Sequence, residues 1–385
     1  MRSIFAILLA LPVAAQTFVV DANNGPGTNY TSLTAAAAAV PDGAVLLVRA
    51  GNYAGFAIAQ KGLTVLADPG VGITGTIAIA NTNPGQSCTL ANLAWPGSGA
   101  PCVQLTGDQG LVVLEGLTTA GFPAGGFLGF NYVPLDATGC ARLAVRECTF
   151  WGHVNLDACD AVFESCTLQG VTNASAFTML TTSSGLQAQG GNVQLVESTV
   201  TGGDGFGTGP IASVAASPGI GVYNGTARVL ASTLVGGFDG GGQRAALQGN
   251  SIVRIDLLSS PQGGISNFPH SPSFLAMPFV SATSAAPGGN LTATTTTLAG
   301  DLVTLVVGLP GAPVPIAGFQ DQFWLDPGAH VFLAIGVQQT TAPIAGSIAV
   351  PNVPGFRGLP LVWHAACFGP VTGLQNGNPA VALVR

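Results

Sequence analysis

Short apolar strands recur through the first two-thirds of the chain, and each closes on a threonine after a turn residue. The copies end at Thr118, Thr149, Thr167, Thr199 and Thr233, which gives successive steps of 31, 18, 32 and 34 residues. Helical repeats and propellers keep a steadier period, whereas the turns of a stacked β-coil tolerate insertions while its strands stay in register. The pattern therefore predicts a solenoid of parallel strands over residues 16–268, with these threonines aligned along its axis.

The solenoid needs an apolar interior, and the repeated strands supply candidates for it. We expect the following side chains to point inward: Leu111, Val113, Val145, Phe163 and Leu195. Stacking of parallel strands satisfies their backbone groups, because each strand hydrogen-bonds to the rungs before and after it.

The N-terminal residues 1–15 have the pattern of a secretory signal peptide. A positive residue, Arg2, precedes a short apolar run that ends in small residues, and cleavage is expected after Ala15. No second long apolar stretch follows. We therefore expect a secreted or cell-surface monomer without a membrane span.

Residues 17–66 carry a specific order of elements. A strand at 18–21 leads through a polar turn to a helix at 32–39, a Pro-Asp-Gly turn, a buried strand at 44–48 and the segment Gly51-Asn-Tyr53. This block resembles the first coil of pectin-lyase-like right-handed parallel β-helix proteins, in which a short helix caps the open end. The resemblance implies the fold, and its superfamily includes lyases, hydrolases, esterases, adhesins and inert structural proteins.

The composition changes near residue 268. Beyond it the repeat is lost, and β-branched runs separated by Pro-Gly turns predict a small C-terminal β-sandwich over residues 269–385. A Gly-Phe-Gln-Asp-Gln-Phe segment containing Asp321 is similar to a pectin-esterase motif. It lies in the sandwich and not on the solenoid, so we interpret it as chance.

Charge is scarce and limits the possible partners. Only 7% of residues are charged, the net charge is −7, and Lys61 is the one lysine, where an ordinary protein has roughly 25% charged residues. Nucleic acids and anionic membranes require clustered cations, so neither is expected as a partner. An extracellular polysaccharide remains the expected ligand class.

Catalytic motifs are not evident, and no catalytic residue is predicted. The four histidines (His153, His270, His330 and His364) are scattered, so we expect structural roles for them, and no Gly-x-Ser-x-Gly elbow occurs. Two functions remain open. The first is a non-catalytic structural or carbohydrate-binding module, which the low number of titratable residues favours. The second is a polysaccharide lyase or glycoside hydrolase with an atypical site.

The acidic residues provide the candidate ligand sites. All four glutamates precede the repeated threonine by two or three residues, and Asp256 takes a comparable place: Glu115, Glu147, Glu164 and Glu197. Stacked rungs predict a row of carboxylates along one edge. It is either a solvated edge balanced by arginines or a ladder that binds calcium or a glycan. Asp204 and Asp239, in similar glycine-rich turns, are likewise solvated turn residues or a shared calcium or sugar site. No cofactor other than calcium is expected.

Seven cysteines in an exported chain permit disulfides and leave one over. Cys148 and Cys166 occupy equivalent repeat positions, as do Cys140 and Cys159 a similar step earlier. Cys88 and Cys102 bracket a Pro-Gly loop. These three pairs are the predicted disulfides, and Cys367 remains unpaired.

Overall fold

The computed structural model of the protein describes residues 15–97, 101–120, 132–171, 182–205, 215–239, 241–267, 269–319, 321–339, 342–370 and 373–385. The proposed signal peptide lies outside them except for Ala15. Within the described ranges the chain forms three long parallel sheets, followed by antiparallel strands. The predicted right-handed parallel β-helix with a C-terminal β-sandwich is confirmed. No described helix is long and apolar enough to cross a membrane.

We name the parallel sheets A, B and C in the order in which the chain visits them. The described strands of sheet A are Thr17–Val20, Ala44–Val48, Leu63–Ala67, Ser87–Ala91, Leu111–Glu115, Arg142–Arg146, Asp160–Glu164, Asn192–Val196, Thr226–Leu230, Ile252–Ile255 and Ser273–Phe274. Those of sheet B are Gly51–Ala54, Val71–Thr74, Ala94–Trp95, Thr118–Thr119, Thr149–Trp151, Thr167–Gln169, Thr199–Thr201, Thr233–Val235 and Ser260–Gln262. Those of sheet C are Ala57–Ala59, Ile77–Ala80, Val103–Thr106, Leu135–Thr138, Val154–Asp157, Leu186–Gln189, Ile220–Tyr223, Leu247–Gly249 and Ile265–Asn267.

The rungs stack in register, so equivalent residues of the repeat lie above one another. The predicted threonine row is confirmed on sheet B, where Thr118, Thr149, Thr167, Thr199 and Thr233 are successive partners. Its regularity follows from the pairing itself, because a slip of one residue would turn every inward side chain outward.

The open end of the coil is covered by the predicted helix, Leu33–Ala39. Ser32 caps its N-terminus by accepting a hydrogen bond from the Ala35 amide over 3.4 Å. At the other end Lys61 donates to the carbonyl oxygens of Ala37 and Val40. The single lysine of the chain therefore satisfies terminal carbonyls of the cap.

The interior of the coil holds Val145, Phe163 and Leu195, as predicted. The prediction was wrong for Leu111 and Val113, which point outward from sheet A and pack against the sandwich. In that strand the inward residues are Val112 and Leu114. An unbroken apolar strand has the same pattern on both faces, so periodicity does not reveal which alternate residues face the interior.

The C-terminal sandwich begins soon after sheet A ends at Phe274. One of its sheets has the described strands Phe279–Thr283, Asn290–Thr296 and Ile344–Ala349. The other has Leu302–Val314, Phe323–Val337, Pro360–Gly369, Gly373–Asn376 and Ala380–Leu383. Short additional elements are the hairpin strands Phe238–Asp239 and Gly242–Gln243 and a 3₁₀ turn at Pro354–Phe356.

The sandwich lies against the outer face of sheet A. Val113, Val162 and Val196 of the β-helix share one apolar cluster with Phe279 and Trp324 of the sandwich. The sandwich has its own core between its two sheets, around Trp363 and Leu305. Sheet A is consequently buried on both faces, which leaves sheets B and C as the open sides of the solenoid.

Candidate functional site

The outer face of sheet C carries a row of mostly amide side chains, which also includes one carboxylate and one glycine. Each strand from Val103–Thr106 onwards alternates inward and outward residues, and its second residue points outward. In successive rungs these residues are Gln104, Asp136, Asn155, Gln187, Gly221, Gln248 and Ser266. Rungs are about 4.8 Å apart, so the row brings four amides onto one line of the face, where Asn155 also donates a hydrogen bond to the Asp136 carboxylate over 2.8 Å.

A groove of about 250 Å³ lies on this face. Gln187, Gly221 and Gln248 form its floor, and the chain that leads from sheet B into sheet C forms its wall. The wall residues are His153, Thr182, Ser183, Ser184, Ser217 and Pro218, with Tyr223 beside the floor. Gly221 makes room for this arrangement, because a Cβ there would lie 3.1 Å from the Tyr223 ring.

His153 is the titratable group of the groove besides Tyr223. Its Nδ1 lies 3.2 Å from the Ser184 carbonyl oxygen and 3.4 Å from the Ser184 hydroxyl. Burial lowers the pKa of His153, so the imidazole is neutral and Nδ1–H donates to the carbonyl. None of the described residues that line the groove is a carboxylate. The described lining therefore offers neutral donors and acceptors and contains no acid pair of the kind that glycoside hydrolysis uses.

Carboxylates concentrate instead where sheet A meets the sandwich. Glu115, Arg146 and Glu164 end three adjacent strands in register. Arg146 lies between the two acids and donates to Glu115 over 3.1 Å and to Glu164 over 3.2 Å. All three side chains are buried. From the sandwich, Ser281 donates to Glu164 over 2.9 Å, and Arg385 pairs with Glu115.

The predicted single row of glutamates is therefore two rows. Glu147 and Glu197 lie one position later, in the turn between sheets A and B, where both are exposed and have φ of 51° and 49°. Glu115 and Glu164 are buried and separated by Arg146. Because repeat positions that differ by one residue point in different directions, the four acids do not form the predicted ladder.

Asp204 and Asp239 lie in adjacent rungs, and their carboxylates hold turns together. Asp204 accepts a hydrogen bond from the Phe238 amide over 2.7 Å. Asp239 accepts from Ala216 and Gly241 and pairs with Arg244 over 2.9 Å. These hydrogen bonds from backbone amides lower the pKa of Asp239. The arrangement is that of turn-stabilising aspartates, and no described group of three His, Cys, Asp or Glu residues is placed to hold a metal.

Three parallel sheets, with their rungs in register, surround one apolar interior, and this arrangement identifies the fold. It is a right-handed parallel β-helix. The chain is similar to pectate lyase Pel9A, with 16% identity and a TM-score of 0.31 over 67% of this chain and 80% of that one. It is also similar to the enzymatically active domain of bacteriophage CBA120 tailspike protein 2, with 10% identity and a TM-score of 0.30 over 94% of this chain and 74% of that one. By sequence it matches no family model and no curated protein. These likenesses concern the fold and assign no activity.

The cysteines of the β-helix are buried thiols, and all seven in the chain lie within the described residues. Cys148 and Cys166 stack on adjacent rungs, and so do Cys140 and Cys159, where the Cys140 amide donates to the Cys159 sulfur over 3.4 Å. Cys88 instead donates to the Lys61 carbonyl over 3.3 Å, whereas Cys102 contacts the Tyr132 hydroxyl. The stacking of two pairs agrees with the predicted pairing, and the disulfides themselves stay a prediction.

Sequence reasoning missed the groove of the β-helix, although a signal for it exists. The strands Val103-Gln-Leu-Thr, Val154-Asn-Leu-Asp and Leu186-Gln-Ala-Gln each place an amide between two buried residues. An amide that recurs at this position in several rungs marks an open polar face. His153 had no comparable signal, because a single histidine in a turn does not differ from a structural one.

Proposed function

We propose that the protein is an extracellular, non-catalytic β-helix that binds a neutral polysaccharide along the outer face of sheet C. The observation that carries the proposal is the pair of amides, Gln187 and Gln248, that the strand register aligns along the floor of the groove on either side of Gly221. Amides donate and accept hydrogen bonds at once, which suits the many hydroxyls of a neutral sugar chain. An acidic polymer would gain nothing from this face, because no arginine or lysine lines the described groove.

The shape of the face supports a linear ligand. Each rung repeats the same outward position, so one polymer lying along the axis meets similar groups several times. Tyr223 adds an apolar ring with a polar tip beside the floor, and such rings pack against sugar faces. Many weak contacts in a row give useful affinity even when each hydrogen bond contributes only about 0.5–1.5 kcal/mol.

A binding function is favoured over hydrolysis or elimination because the described lining of the groove does not supply the groups that these reactions use. Acid–base catalysis on a glycosidic bond uses paired carboxylates or an activated base. The described lining provides one neutral imidazole whose Nδ1 is committed to the Ser184 carbonyl. The buried acids lie on sheet A under the sandwich, away from this face.

Affinity electrophoresis through gels that contain neutral or acidic polysaccharides tests the proposal. We expect retardation by a neutral polymer, and we expect Gln187→Ala and Tyr223→Ala each to weaken it by roughly 2- to 10-fold, as the loss of one such contact implies. Gln262→Ala, an exposed glutamine on sheet B, is the matched control and should migrate like the wild type. Release of shortened or unsaturated sugars during incubation would instead support the lyase or hydrolase alternative. Equal retardation of all three variants would show that the ligand lies elsewhere.

A further inference from the structure

A second cleft, of about 140 Å³, lies between sheet A and the sandwich. It is separate from the groove on sheet C, and the proposed function does not use it. Its walls come from both parts of the protein. Sheet A contributes Asp160, Asn192, Gln194 and Thr226, and the sandwich contributes Asp321, Gln322 and Trp324.

Gln194 is the most unusual member of this cleft. Its side chain is only 2% exposed, and among the described residues its Oε1 has no hydrogen-bond partner. Its register neighbour on one side, Val162, belongs to the apolar cluster under the sandwich. A buried amide oxygen without a partner is costly, at roughly 1–3 kcal/mol. An oxygen placed in this way, lining a cleft, indicates a ligand that the oxygen can bind.

Two carboxylates line the same cleft from opposite sides. Asp160 begins its strand of sheet A, and Asp321 reaches in from the sandwich. Arg228, the register partner of Gln194, pairs with Asp321. The two carboxylates and this one guanidinium together leave one negative charge. Burial and the nearby Asp321 both raise the pKa of Asp160. A positive charge in the cleft would relieve this repulsion.

The remaining donors are also oxygens. Asn192 Oδ1 accepts a hydrogen bond from Thr226 Oγ1 over 2.8 Å, which places a hydroxyl and an amide beside Asp160. Sulfur and imidazole are absent from the described lining. Carboxylate, amide and hydroxyl oxygens together are the ligand set of calcium, which accepts six to eight oxygens in irregular geometry, whereas magnesium demands a regular octahedron.

We propose that this cleft binds a calcium ion, which joins the sandwich to the β-helix through Asp160 and Gln194 on one side and Asp321 on the other. The site differs from every calcium candidate that the sequence suggested. It combines residues of sheet A with Asp321 of the sandwich, which pairs with Arg228 although the two lie 93 residues apart in the chain. Affinity in the submillimolar to millimolar range, about 10⁻⁴–10⁻³ M, is typical of extracellular calcium modules.

Terbium luminescence tests the site directly, because Tb³⁺ replaces calcium and Trp324 lines the cleft. Full-length protein excited at its tryptophans should give Tb³⁺ emission that saturates as a single-site binding curve, and excess calcium should quench it. Trp324→Phe should remove most of the sensitised emission. It should keep the increase in melting temperature with millimolar calcium, about 2 °C. Asp160→Asn should lose both signals, whereas Asp157→Asn, which changes an exposed acid of sheet C, should keep both.

Gln194→Met separates the loss of calcium binding from a folding defect. Methionine has nearly the same shape as glutamine but lacks the amide oxygen. We expect this variant to fold and to bind calcium about 10-fold more weakly. If Gln194→Met instead leaves the calcium effect unchanged, Gln194 Oε1 binds water and not calcium, and the proposal is wrong. An equal melting temperature of the wild type in calcium and in chelator would also overturn it, as would emission that survives in Asp160→Asn.

Discussion

The Arg146 guanidinium donates a hydrogen bond to the Glu115 carboxylate over 3.1 Å, at a place where both side chains are buried between the β-helix and the sandwich. Arg146 also reaches across the interface, where it donates to the Ser284 hydroxyl over 3.1 Å and to the Ala282 carbonyl. One arginine of the solenoid thus joins two acids of its own sheet to the backbone of the C-terminal module.

Replacing Arg146 with methionine should destabilise the protein strongly. The substitution leaves Glu164 buried without its cation and Glu115 with Arg385 alone, and breaking a buried pair in this way costs about 3–5 kcal/mol. Denaturant unfolding followed by circular dichroism measures the loss. Arg244→Met is the matched control, because Arg244 is half exposed in its pair with Asp239 and should change stability by less than about 1 kcal/mol. Equal effects of the two substitutions would show that the buried cluster does not hold the domains together.

The fold could be predicted because its main signal is repetition. The threonine that closes each repeat marks the same position in every rung, although the insertions between repeats differ in length. Pairing between rungs fixes the register whatever the length of the turns. The short helix was also predictable, from the alanines after Ser32 and the Pro-Asp-Gly turn. Both signals are local, so they survive without knowledge of the C-terminal module.

The sites were less predictable because they depend on long-range packing. Whether Val113 faces the interior or the sandwich is decided by a partner more than 150 residues away in the chain. The glutamates were grouped with a tolerance of one residue, which merged strand ends such as Glu164 with turn positions such as Glu147. Asp321 was set aside as part of a chance motif, although its carboxylate pairs with Arg228 across the junction.

Acid should destabilise the sandwich through His364. Its Nε2 accepts a hydrogen bond from the Trp324 amide over 3.0 Å, and burial lowers the pKa of His364 from 6.5 to about 3. Between these values the unfolded chain binds a proton that the folded chain does not. Stability therefore falls as the pH drops from about 6.5 towards 3, by about 1.4 kcal/mol for each pH unit.

Urea unfolding at a series of pH values checks this dependence. His364→Gln retains an acceptor for the Trp324 amide and should flatten the profile between about pH 6.5 and 5. His330→Gln, which changes an exposed histidine on the strand Phe323–Val337, should leave the profile as it is in the wild type. A wild-type profile that His364→Gln does not alter would assign the acid sensitivity to other groups.

Gly203 marks a point where neighbouring rungs approach too closely for a side chain. A Cβ at this position would lie 2.1 Å from the Val171 carbonyl oxygen, and the Gly203 amide donates to the Ser183 carbonyl over 2.9 Å. Gly203→Ala must push these rungs apart, and we expect a loss of about 1–3 kcal/mol in unfolding free energy. Gly85→Ala provides the comparison, because a Cβ there meets no atom within 4 Å, and it should be nearly neutral. If both variants unfold at the same denaturant concentration, the close approach of the rungs is not tight enough to exclude a methyl group.

The buried thiols should be unreactive in the folded protein. Burial raises the pKa of Cys88 to about 12 and that of Cys148 well above its ordinary value, and the thiolate is the reactive form. Native protein treated with iodoacetamide should therefore gain no mass at these cysteines, whereas Ser260→Cys, on the exposed face of sheet B, should be labelled quickly.

Iodoacetamide labelling of protein that is unfolded without reductant then gives the number of free thiols. The three disulfides predicted from the sequence would leave only Cys367 to react and would link Cys148 to Cys166 in a peptide map. Labelling of all seven cysteines would show that the stacked pairs remain reduced and that packing alone stabilises these rungs.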